Sequence, residues 1–101
     1  MNANKKTYSI DPLIHEAARL QLMVVLCECQ VADFNFLLGV TKLTRGNLSS
    51  HLSKLIAAGY VQEKKEFIAR IPHTEYRLTS AGNKAYKEYL EAFKKLTHQQ
   101  S

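Results

Sequence analysis

Asn47, Ser50, Ser53 and Lys54 share one side of a short helix, and with Thr44, Arg45, Gly46, Ser49 and His51 they form a small, polar surface without a carboxylate. Amide and hydroxyl groups can donate to and accept from base edges, neighbouring cations can hold phosphate, and short side chains permit close approach. An ordinary solvent-facing helix would carry Glu and Lys pairs there. The opposite side fixes the element, because Leu48, Leu52, Leu55 and Ile56 recur at i, i+4, i+7 and i+8. Thr44 suits its N-cap and Gly59 its C-terminal stop. Such a helix fits the major groove of DNA, with Asn47 and Ser50 near the deeper end reading bases and Thr44, Arg45 and Lys54 holding phosphates.

The segments around it are those needed to hold it. Residues 33–41 form a two-turn helix capped by Asp33, with Phe34, Leu37 and Leu38 inward, and only Lys42 and Leu43 separate it from the next cap. The pair makes a helix-turn-helix over 33–58. Residues 60–67 are β-prone, 68–73 read as a long tip containing Pro72, and 74–79 alternate again, so 60–79 form a hairpin, or wing. Lys64, Arg70, His73 and Arg77 are its candidate contacts to phosphate or the minor groove. Phe36 and Val40 fall on the outer side of the first of the two helices, which implies a covering element or a partner.

Residues 43–61, the run Pro72-x-Thr74-x-Tyr76-Arg77-Leu78-Thr79-x-x-Gly82 and the opening Ile14-His15-x-x-x-Arg19-Leu20 resemble the single-domain winged helix-turn-helix regulators of the MarR/ArsR superfamily. The resemblance runs from about Asp11 to the C-terminus. It implies a mainly α chain with a small β-hairpin (α+β), a transcription factor that places its second helix-turn-helix helix in the major groove. It also implies symmetric pairs on two DNA half-sites: double-stranded DNA and a second copy are the expected partners, and repression from a palindromic operator the expected role. Lys42 departs from the family, whose turn often has Gly there. The competing class is a winged helix that binds proteins, with Phe36 and Val40 marking the surface. The polar face of Asn47, Ser50, Ser53 and Lys54 favours DNA.

Two further helices are expected. One is capped by Asp11, has Pro12 in its first turn and runs through Leu13, Ile14, Ala17, Ala18, Leu20, Met23, Val24, Leu26 and Cys27. The other, 80–97, is capped by Thr79 and steps through Tyr86, Tyr89, Phe93 and Leu96 like a coiled-coil seam, with Lys84–Glu88, Lys87–Glu91 and Glu91–Lys95 on its flanks. These stripes exceed what one small core needs, so Leu13, Ala17, Tyr86, Tyr89, Leu90, Phe93 and Leu96 are expected at a homodimer interface. A small effector ligand of unknown identity could bind there.

With 101 residues, 46% of them hydrophobic, the chain supports one core, a single winged-helix domain over 1–101. The formal charge is +5 and unevenly spread. Residues 7–41 hold one base (Arg19) against four acids, whereas residues 42–77 hold seven bases (Lys42, Arg45, Lys54, Lys64, Lys65, Arg70, Arg77) against three acids. Positive potential thus coincides with the helix and wing that the motifs selected. Residues 1–10 read as a flexible arm, and the absence of a long apolar run argues against a membrane partner and for a cytoplasmic location. Cys27 and Cys29 lie about 200° apart around a helix and cannot clamp one metal ion together. The four histidines are scattered and no phosphate loop, metal-binding helix motif or nucleophile elbow occurs, so no metal, cofactor or enzymatic activity is expected.

Overall fold

A computed structural model describes residues 10–98. Apart from Ile10, the expected N-terminal arm lies outside the described residues. The elements are α1 (Ala17–Cys29), β1 (Ala32–Asp33), α2 (Phe34–Thr41), α3 (Arg45–Ala57), β2 (Val61–Ile68), β3 (Ile71–Leu78) and α4 (Ser80–Thr97).

The two helices of the helix-turn-helix form where the capping residues place them. Asp33 accepts a hydrogen bond from the Phe36 amide at 2.7 Å, and Thr44 accepts one from the Asn47 amide at 3.1 Å. Lys42 ends α2 in the left-handed region (φ 58°), a conformation that Gly adopts at no steric cost. Gly59 follows α3 at φ 82°, which a side chain would strain.

The first helix begins later than its cap signal implies. Asp11 does not cap it: one carboxylate oxygen accepts from the Leu13 amide at 2.9 Å within a turn, and the other accepts from the Tyr60 hydroxyl at 2.6 Å. That bond, with burial, pushes the Tyr60 hydroxyl up to about 12. The turn delivers Ile14 into the core before Glu16 caps α1 by accepting from the Arg19 amide at 2.9 Å. This backbone hydrogen bond holds the Glu16 carboxyl below the usual carboxylate range.

The sheet also differs from a simple hairpin. β1 adds a third strand, giving the order β1-β3-β2, with Ala32 opposite Tyr76 and Asp33 opposite Glu75. In the wing Ile68 pairs with Ile71, so the loop is only Ala69 and Arg70, both at positive φ (53° and 68°), the pattern of a tight primed turn. The expected long tip is therefore absent, and Pro72 lies within β3 opposite Phe67. β1 reaches only Glu75 and Tyr76, so β3 has an open edge beside Pro72, where a missing N–H is tolerated.

Ile14, Leu22, Met23 and Leu26 pack with Leu37, Leu48, Leu52 and Leu55 in one core closed by Val61 and Tyr76. Thr79 fastens α4 to it: its hydroxyl donates to Gly59 O at 2.6 Å and accepts from the Gly82 amide at 2.9 Å, while its own amide donates to Tyr60 O at 3.0 Å. Gly82 lies so close to this junction that a Cβ would sit 2.0 Å from Tyr60 O. Only two of the four residues in the expected α4 seam are well exposed. Tyr89 is 3% exposed, with its hydroxyl 2.8 Å from His15 Nδ1, and Tyr86 is half-buried against the same core. Intrachain packing thus takes up two seam residues, while Leu90, Phe93 and Leu96 stay 38–44% exposed.

Candidate nucleic-acid interface

One face of α3 is buried to completion by Leu48, Leu52 and Leu55, which turns the remaining side chains outward. Thr44, Arg45, Gly46, Asn47, Ser49, Ser50, Ser53 and Lys54 are all exposed. The Arg45 guanidinium lies over the Phe34 ring, 5.1 Å from its centroid, so the aromatic ring of α2 steadies a cation at the start of α3.

His51 is set apart from this group. Its Nδ1 lies 3.1 Å from Arg19 Nη1 and 3.8 Å from a Glu16 carboxylate oxygen, and Arg19 Nε donates to Leu13 O at 2.6 Å. Arg19 therefore connects the turn before α1 to the middle of α3, and His51 serves that clamp from the inward flank of the helix. Sequence reasoning missed the clamp, because Arg19 and His51 are 32 residues apart and on different helices.

The wing cations are less available than their number implies. Lys64 Nζ lies 3.7 Å from Glu66, and Lys65 Nζ lies 4.0 Å from Glu63. Arg77 faces a recess at the C-terminal end of α1, shared with Cys27, Gln30 and Asn83, away from the tip. Arg70, at the turn, is in no ion pair among the described residues. Around it Phe67 (74% exposed), Ile68 and Ile71 make an apolar tip that sequence reading did not single out.

His73 is a strand residue rather than a loop residue. Its Nε2 lies 3.1 Å from Glu75 Oε2, and its cross-strand partner is Glu66. Glu66, His73 and Glu75 each offer one ligand atom, all within 4.8 Å of one another. Cys27 and Cys29 are exposed free thiols.

A cation-edged, carboxylate-free helix beside a β-hairpin defines a class, and residues 18–97 match the model of the winged helix DNA-binding domain family. The chain belongs to that family. It is similar to a transcriptional regulator homologue from Pyrococcus horikoshii OT3, with 31% identity, a TM-score of 0.80 and 86% of each chain covered. It is 32% identical to an uncharacterized protein of Methanocaldococcus jannaschii over 78 residues, 77% of this chain and 85% of the relative. The fold is shared with a MarR mutant from E. coli crystallised with operator DNA, at 19% identity and a TM-score of 0.69 over 88% of this chain and 63% of that one. No helix among the described residues is long and apolar enough to cross a membrane.

Proposed function

We propose that the chain is a sequence-specific regulator of transcription that binds double-stranded DNA in the cytoplasm as a homodimer and represses from a palindromic operator. One observation carries the reading: the whole outer face of α3 is exposed, hydrogen-bonding and without a carboxylate, while its inner face is locked in the core. On this reading Asn47 and Ser50 read bases, with Gly46, Ser49 and Ser53 allowing close approach, and Thr44, Arg45 and Lys54 hold phosphates. Arg70 reaches the flanking backbone or minor groove, and Lys64 and Arg77 add weaker, longer-range attraction. Selection of bound duplexes from a random pool tests it, with an inverted repeat as the expected product. Recovery of no enriched sequence, together with no salt-dependent shift of any duplex, would transfer the case to protein recognition through exposed Phe36 and Val40.

The exposed Leu90, Phe93 and Leu96 support a pairing of two copies along α4, with Leu13 and Ala17 as further members of the proposed interface and Tyr86 and Tyr89 supporting it from within each copy. Light scattering at micromolar concentration is expected to give twice the 11.5 kDa chain mass. Phe93→Glu places a charge in that interface and should return the monomer mass. A parent chain that scatters as a monomer would overturn the pairing.

For the wing, Arg70→Ala should weaken binding to every duplex by a similar factor and lower the slope of log affinity against log salt by about one. An unchanged slope would place the tip away from DNA.

A further inference from the structure

The tight turn at Ala69 and Arg70 has a chemical result on the strands behind it. It puts Glu66 directly across from His73, and the two-residue period of β3 puts Glu75 on the same face as His73. Two carboxylates and an imidazole from two strands thus converge, with ligand atoms all within 4.8 Å of one another. Their side chains are only 24–34% exposed, so the strand ladder holds them to a narrower range of positions than free surface groups have.

We propose that Glu66, His73 and Glu75 form a binding site for one divalent transition-metal ion of the zinc class. One nitrogen and two carboxylate oxygens suit such an ion, with bonds of about 2.0–2.2 Å and a fourth position left to water. Rotation about the terminal Glu torsions, which are broad, closes the donors from their present spacing. The hydrogen bond from His73 Nε2 to Glu75 Oε2 marks the place of the ion. An ion there takes the lone pair of His73 Nε2, so the imidazole proton then sits on Nδ1.

The charge around the site agrees with a cation. Lys64, opposite Glu75 and 3.7 Å from Glu66, is the ammonium group seated beside these carboxylates, and it competes for the position a metal ion would take. An ion adds two positive charges to a strand face on which Lys64 and Arg77 are balanced by Glu66 and Glu75. On the DNA-binding reading above, this change draws the wing toward phosphate.

The test titrates Zn²⁺ into the full chain carrying Cys27→Ser and Cys29→Ser, against a competing chromophoric chelator and with no DNA present. One ion per chain is expected. Glu75→Gln and His73→Gln should each weaken uptake by roughly tenfold or more, as loss of a ligand costs at least what loss of an outer partner does. Lys64→Gln should tighten it severalfold, a gain that no misfolded variant can imitate. Absence of uptake, or uptake that ignores all three substitutions, would overturn the site. Because the titration omits DNA, its result stands apart from the DNA-binding reading, which the duplex selection decides separately.

Discussion

Gly82→Ala is expected to cost at least about 3 kcal/mol of folding stability, the upper end of the range for overpacking a well-packed site. The added methyl would lie 2.0 Å from Tyr60 O and 2.9 Å from Tyr60 C, both backbone atoms that cannot rotate aside. Relief requires α4 to lift away from the start of β2, which breaks the bonds of Thr79 to Gly59 O and Tyr60 O. A domain of this size has a total stability of about 5–15 kcal/mol, so the loss is a large fraction of it. Urea unfolding followed by circular dichroism measures it. The control is Ala81→Gly, one residue earlier and exposed, which should cost no more than about 1 kcal/mol. Equal midpoints for Gly82→Ala and the parent would show that the close approach is not a feature of the folded chain.

The second large effect concerns DNA. Asn47→Ala is expected to lose about 1–3 kcal/mol on the selected duplex and almost nothing on a scrambled one, because an amide that pairs with one base contributes only where that base is present. Lys54→Ala should weaken both duplexes alike and flatten the salt dependence by about one unit, as befits a phosphate contact. Both residues are exposed on α3 and outside the core, so their removal leaves the fold intact. Equal loss on both duplexes for Asn47→Ala would assign it to anchoring. No loss on either, for both variants, would take α3 out of the interface.

The helix-turn-helix was legible because its signals are local. Asp33 and Thr44 cap, Leu37, Leu48, Leu52 and Leu55 repeat at helical spacing, and both helices appear within a residue or two of the expected limits. What escaped depends on distant partners. Asp11 reads as a cap until Tyr60 is brought beside it, and the bond between His51 and Arg19 has no signal in the sequence because the two lie on different helices. The seam of α4 repeats correctly, yet periodicity cannot tell whether Tyr89 faces its own core or another copy, and the hydrogen bond with His15 supports the former.

The wing turn is where the sequence signals and the structure differ most. Neither Ala69 nor Arg70 is a turn former at positive φ, whereas Pro72 is a strong loop signal, so the sequence implies a tip over 68–73 where the structure has a loop of residues 69 and 70 alone. One misplaced turn hid the pairing of Glu66 with His73, and with it the convergence on Glu75.

That turn also bears on how the wing comes to exist. An Ala-Arg pair held left-handed is strained by about 1–2 kcal/mol per residue and cannot nucleate a hairpin as Asn-Gly does. Closure must start at the end anchored in the core by buried Val61 and Tyr76, at the pairs of Val61 with Leu78 and Glu63 with Tyr76, and zip outward toward Phe67 and Arg70. The tip is then the last part of the sheet to form and the first to open, a locally frayed end on a well-ordered base. Amide exchange at those β2 amides that bond to β3 should record this as protection that falls from the Val61 end toward Ile68, leaving Arg70 on the segment most able to adjust to the surface it meets.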